Sequence, residues 1–106
     1  MDPELVKGTL SLLILSLLSR EPMYGYRIVS TVKRETDGVF QWKEGSLYPA
    51  LHRLEKDGLV RGKWESGEGK RRRRYYHLTD KGRMVLAEKT SAWESLSRAV
   101  NAILEK

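Results

Sequence analysis

A mainly α-helical domain with one small β-hairpin is the fold class that this 106-residue sequence predicts. Three patterns predict it. Apolar residues recur at helical spacing in three segments before Asp57-Gly58. Larger side chains alternate on both sides of a Gly-containing tip between Leu59 and Leu78, and a last helical run extends from Asp80 to about Leu104.

The first helix is expected to start at Asp2-Pro3-Glu4, where a capping residue precedes Pro at the first helical position and an acid in the first turn. From Leu5 to Ser19 the chain is apolar almost all round. Leu10, Leu13, Ile14, Leu17 and Leu18 share one face, and Leu5, Leu12 and Leu15 share another. A helix apolar on two sides is buried on two sides, so the second side is expected against a partner subunit. Arg20-Glu21-Pro22 ends the run, because the residue before Pro is biased away from helical backbone.

A second helix fits Tyr24 to about Thr36, with Ile28, Val29 and Val32 inward and Arg27, Lys33, Arg34 and Glu35 outward; Asp37-Gly38 stops it. After the extended stretch Val39-Phe40-Gln41-Trp42, Lys43-Glu44-Gly45-Ser46 leads into a third helix. Its apolar positions, Leu47, Ala50, Leu51 and Leu54, stand at i, i+3, i+4 and i+7, and Asp57-Gly58 terminates it. The run from Leu59 to Trp64, a tip from Glu65 to Lys70 and a return from Arg71 to Leu78 read as a β-hairpin. Thr79 then caps the last helix, which at 1.5 Å per residue is about 37 Å long. Leu86, Trp93, Leu96, Val100 and Ile103 form a heptad seam on it, with Lys89 in one slot. So short a seam is expected to pack on a partner and on the surplus face of the first helix.

Composition excludes several classes. One domain of this size leaves no room for a multi-domain enzyme. With 40% apolar and 32% charged residues the chain is not disordered. Its longest apolar stretch, Leu10–Leu18, is far below the ~20 residues of a membrane span, so no membrane partner is expected. The absence of cysteine removes disulfides, thiolate metal sites and thiol redox switches. Met1-Asp2-Pro3-Glu4 carries no signal-peptide pattern, and the expected compartment is the cytoplasm. The only histidines, His52 and His77, lie outside any Ser/His/Asp or metal-ligand spacing, and Gly67-x-Gly69 runs into basic residues rather than a helix start. The sequence therefore offers no catalytic residues, no metal site and no cofactor.

Charge is concentrated. The formal net charge is +6, and seven basic residues against two acids between Arg61 and His77 supply +5 of it. Three helices, a basic hairpin and a long last helix are the layout of a winged helix-turn-helix followed by a C-terminal dimerisation helix, with residues 1–79 and 80–106 as the two parts. In that layout the third helix enters the major groove of double-stranded DNA and the wing grips the flanking backbone.

Three segments also carry a family resemblance. Tyr24-Gly25-Tyr26-Arg27-Ile28, the run from Gly45-Ser46-Leu47-Tyr48-Pro49-Ala50-Leu51 to Val60, and Arg73-Arg74-Tyr75-Tyr76-His77-Leu78-Thr79-Asp80-Lys81-Gly82-Arg83 resemble the PadR family of bacterial transcriptional regulators. The likeness covers Lys7 to Gly82 without a gap and points to the short branch with a single C-terminal helix. It implies a dimeric winged-helix repressor. In some members of that branch an aromatic placed like Trp93 lines a cavity between subunits that takes planar drug-like molecules. The resemblance thus implies a planar aromatic effector near Trp93; Trp93 as a plain interface anchor is the other reading, and both can hold.

The candidate DNA-binding residues are Tyr24 at the start of the second helix, Ser46, Tyr48, Pro49, His52 and Arg53 on the third, and Lys70, Arg71 and Arg72 near the wing tip. Strand alternation sends Arg72 and Arg74 to one side and Arg71 and Arg73 to the other, so they cannot all touch DNA. Ser46 as a helix cap and Tyr48 as packing are the structural alternatives. For Tyr26, packing in the core is weighed equally with a backbone contact, while Tyr75, Tyr76 and Leu78 are read as structural. The residues assigned to the dimer interface and effector are Leu12, Leu15, Trp93, Leu96 and Val100. Together they describe a homodimeric repressor of a pseudo-palindromic operator, released by a small molecule. The alternatives are a protein-interaction module whose basic hairpin docks on an acidic protein, and a nonspecific architectural DNA binder.

Overall fold

Residues 8–67, 69 and 71–106 are described by the computed structural model. They run as α1 (Leu10–Arg20), β1 (Met23–Tyr24), α2 (Gly25–Glu35), α3 (Glu44–Lys56), β2 (Val60–Ser66), β3 (Arg72–Leu78) and α4 (Asp80–Leu104). This is the mainly α architecture with a basic hairpin that the sequence predicts. The start expected at Asp2-Pro3-Glu4 lies outside the described residues. Within them α1 begins only at Leu10: Gly8 takes φ +90°, a left-handed conformation that a helix cannot pass through, and Thr9 is the capping residue.

The core forms where the apolar faces meet. Ile14, Leu15, Leu17 and Leu18 of α1 close over Ile28 and Val32 of α2, Leu47, Ala50, Leu51 and Leu54 of α3, and Met23, Leu59, Val60 and Tyr76 of the sheet and its approach. Leu15 corrects the sequence reading. The helical wheel places it on the partner-facing side, but it is wholly enclosed by the chain's own core, because the sheet and helices wrap α1 more widely than one stripe. Leu12 remains half-exposed. Across the helix ends, Arg20 pairs with Glu35 at 2.6 Å and Arg27 with Glu21, both on the surface.

Among the described residues the sheet has three strands, not two. Its order is β1-β3-β2, all antiparallel, with Met23 opposite Tyr76 and Tyr24 opposite Tyr75. Tyr24, expected inside the second helix, is instead extended and caps it (φ −88°, ψ 165°). The hairpin register runs from Val60 opposite Leu78 to Ser66 opposite Arg72, which makes β2 an edge strand.

Helix α3 starts at Glu44 behind the capping residue Lys43, so Ser46 and Tyr48 lie within its first turns and Ser46 is not the cap. Its end is decided by Gly58 at φ +77°. Gly58 N–H donates to the Glu55 carbonyl (3.0 Å) and Leu59 N–H to the Leu54 carbonyl (2.9 Å), while Leu59 and Leu54 bury together. These are the two bonds and the apolar contact of a Schellman stop, which needs a left-handed residue at this point. Thr79 caps α4 as expected: its hydroxyl accepts from Gly82 N–H (3.0 Å) and donates to the Gly58 carbonyl (2.6 Å). One residue thus joins the end of α3 to the start of α4.

Candidate nucleic-acid interface

The inward residues of α3 leave the opposite side of the helix in solvent. Glu44, Gly45, Ser46, Pro49, His52, Arg53 and Lys56 are all exposed. Tyr48, His52 and Glu55 follow one another at i, i+4 and i+7 and so share the side that faces the wing. Between that side and β3 lies an open cleft of about 650 Å³. Glu44, Tyr48 and His52 form its helix wall, Arg71, Arg72, Arg73 and Arg74 with Trp64 its wing wall, and Tyr24, Gly25 and Tyr26 close its end.

Of the residues chosen from sequence, Tyr24, Tyr48, His52, Arg71 and Arg72 meet in this cleft. Ser46, Pro49 and Arg53 lie outside it, on the exposed outer side of α3. Lys70 lies outside the described residues. Tyr26 corrects its core reading, being 65% exposed. The signal was available: Tyr26 is about 200° round the helix from the buried Ile28. Trp64, 59% exposed, was missed because alternation gives it the face of buried Val60, and that face runs out of core toward the wing tip.

The four arginines are not equivalent. Arg73 lies over the Tyr24 ring, 4.3 Å from its centre, and Tyr24 meets Tyr75 edge-on at 5.4 Å. Arg72 donates to the Trp64 carbonyl at 3.2 Å, across the hairpin. Arg74, on the same side of the strand as Arg72 and also in the cleft wall, pairs with Glu55 at 2.8 Å. Among the described residues Arg71 has no ion pair or hydrogen bond to another residue. His77 meets Glu65 at 2.9 Å, away from the cleft.

Two titrations bear on the site. Burial, and then the nearby Glu44 carboxylate, push the Tyr48 hydroxyl above its ordinary range. Its hydroxyl end lies against Gly25, where a Cβ would come within 2.5 Å; Gly25 is what lets α3 bring Tyr48 against the start of α2. The Glu55 carboxyl is held below its usual range, first by the Gly62 N–H and then by Arg74, against the opposing effect of burial. Its contribution to stability is therefore complete above the ordinary carboxylate range and fades as the pH falls through the lowered value. Glu55→Gln is expected to cost about 1 kcal/mol at pH 7. In urea titrations the gap between wild type and variant should narrow below about pH 4; a gap that stays constant would remove the carboxylate as its source.

Among the described residues no cluster of His, Cys, Asp or Glu could hold a metal, and no helix is long and apolar enough to cross a membrane. A helix with an exposed outer side, beside a basic β-hairpin wing, defines a winged helix-turn-helix protein of the kind that regulates transcription. Comparison with known proteins makes this specific. The chain belongs to the transcriptional regulator PadR-like family, whose model matches residues 14–88, from α1 into α4. It is therefore a regulator of transcription and not an enzyme.

Among solved structures it is similar to the PadR-like transcriptional regulator of Bacillus cereus, with 34% identity, a TM-score of 0.88, and 97% of this chain and 98% of that one covered. It is also similar to a PadR family regulator of Eggerthella lenta, with 41% identity, a TM-score of 0.81, and 97% and 88% covered. Transcriptional regulator YqjI of Escherichia coli is 30% identical over 95 residues, which cover 90% of this chain but only 44% of YqjI.

Proposed function

We propose that the protein is a homodimeric repressor of a pseudo-palindromic operator, with residues 1–79 as the DNA-binding unit and residues 80–106 as the dimerisation helix. The observation that carries this reading is the cleft between α3 and the wing, where hydroxyl, imidazole and guanidinium groups converge beside an exposed helix. Ser46, Pro49, His52 and Arg53 read base edges or hold the adjacent phosphates, while Tyr24, Tyr48, Lys70, Arg71 and Arg72 grip the backbone. The two copies of α3 then enter successive major grooves about 34 Å apart.

A dimer neutralising ~6–10 phosphates should lose affinity with a log–log salt slope of about −5 to −9. Replacing Lys70, Arg71 and Arg72 together by Ala should flatten that slope while leaving the preferred sequence unchanged. An unchanged slope would remove the wing tip from the contact.

The dimer is supported by α4. Trp93, Leu96, Val100 and Ile103 keep the heptad spacing and remain 47–77% exposed in the single chain. A planar aromatic effector near Trp93, Leu96, Val100 and Leu12 would release the operator only if it bound the free and DNA-bound spacings of the reading helices with different affinity. Quenching of tryptophan fluorescence by a planar dye should be lost in Trp93→Phe. Intact quenching would leave Trp93 as an anchor alone.

A further inference from the structure

We propose that Glu55 is a positioning residue that fixes how the wing stands beside the reading helix, and that Arg74 serves this clamp and not a DNA phosphate. The inference rests on the DNA-binding reading above and assigns roles that the basic run alone would not suggest. Glu55 lies on the wing-facing side of α3, one turn beyond His52. Its carboxylate accepts from three donor contacts: Gly62 N–H at 3.0 Å, and Arg74 Nη2 at 2.8 Å to one oxygen and 3.2 Å to the other.

Both partners belong to the wing. Gly62 stands in the middle of β2, on the open edge of the sheet, where a backbone N–H otherwise faces water. Arg74 stands on β3 with its guanidinium 5.8 Å from the centre of the Tyr76 ring, and Tyr76 is buried. One carboxylate therefore holds both strands of the hairpin to one helix.

Gly62 supplies an independent reason to read this as a built contact. A Cβ there would come within 2.5 Å of Arg74 Nε and 2.6 Å of its Cζ. A side chain there would make the flexible guanidinium shift from this seat. Arg74 is thereby held within the protein, whereas Arg71 is left to meet an external anion. Contacts from two wing residues to one carboxylate thus join elements whose relative angle decides whether α3 and the wing can touch one duplex together.

Electrostatics makes the proposal testable by sign. A carboxylate beside a DNA-binding cleft repels phosphate, so its removal should tighten binding if it has no positioning role. The clamp predicts weaker binding instead. Affinity for a fluorescein-labelled duplex, its sequence first selected by wild type from a random duplex pool, would be measured from 50 to 300 mM salt for wild type, Glu55→Gln, Arg74→Ala and Arg71→Ala. Retained cooperative melting would confirm that each variant folds.

Glu55→Gln and Arg74→Ala should each bind about 10-fold more weakly, with the wild-type salt slope. Arg71→Ala should flatten the slope by about 1.8 in a dimer that loses two phosphate contacts. Tighter or unchanged binding by Glu55→Gln overturns the proposal. So does a slope for Arg74→Ala flattened as in Arg71→Ala, and this arm stands even if the Glu55 variant does not fold. Absence of any salt-dependent DNA binding by wild type would instead overturn the underlying DNA-binding reading.

Discussion

Gly82→Ala is expected to destabilise the protein by about 2 kcal/mol, a methyl group's worth of change with one of the largest effects on folding. Gly82 is the one buried residue of α4, and it faces the turn that leads from α3 into β2. A Cβ there would run into the Leu59 carbonyl oxygen, closer than real carbons approach such an atom, and would stand 2.6 Å from Leu78 Cδ1. The obstacle is backbone and cannot rotate away. That same carbonyl accepts the Thr79 N–H at 3.1 Å, so pushing it aside loosens the junction of α3, β2 and α4 together.

Overpacking costs about 1–3 kcal/mol, with a backbone obstacle at the upper end, and the better helix propensity of alanine returns at most about 1 kcal/mol, which leaves about 2 kcal/mol. For a domain of this length, 2 kcal/mol lowers Tm by about 8–16 °C. Gly45→Ala is the matched control: beyond its chain neighbours and its own helix backbone, no atom stands within 4 Å of its Cβ position in α3, so the same change should leave Tm unchanged or raise it. Thermal melts of both variants decide the matter. A Gly82→Ala protein melting within about 2 °C of wild type would contradict this packing of α4 on β2.

The second large effect concerns assembly. Leu96→Glu places a charge on the apolar seam of α4, where Leu96 is 57% exposed in the single chain between Trp93 and Val100. If that seam joins two copies, a pair of carboxylates buried across it should split the dimer, because uncompensated charges are very costly to desolvate. The monomer should keep its fold, since the core lies on α1, α2, α3 and the sheet. It should also lose the second operator half-site and with it about 100-fold or more in affinity. Sedimentation and operator binding on one sample measure both. A Leu96→Glu protein that remains dimeric places the dimer interface elsewhere.

Much of this architecture is legible in the residues because it rests on period. Leu47, Ala50, Leu51 and Leu54 are spaced for one helical face and all four are buried. Alternation finds β2 and β3, and Thr79 identifies the cap of α4 through its side-chain chemistry. Two residues carry no period, so β1 is invisible until Met23 and Tyr24 pair with β3. Leu15 misleads for a related reason: the helical wheel sorts faces but does not tell how far the rest of the fold wraps around them.

The site divides in the same way. Tyr48, His52, Arg71 and Arg72 stand out as chemistry on a helix and a hairpin, and the fold brings them to one cleft. Alternation also separates Arg72 and Arg74 from Arg71 and Arg73. It cannot name the partners that hold Arg73 and Arg74, because Tyr24 and Glu55 are distant in the chain and meet them only across the folded wing.

Selection of bound sequences from a random duplex pool, at low and at physiological salt, tests the central claim most directly. An inverted repeat with half-sites about one helical turn apart, enriched at both salts, is the expected result. Affinity without enrichment would leave a nonspecific architectural binder, and salt-sensitive binding to acidic proteins with no preference among duplexes would make the wing a protein-docking surface. Either outcome would contradict sequence-specific reading by α3.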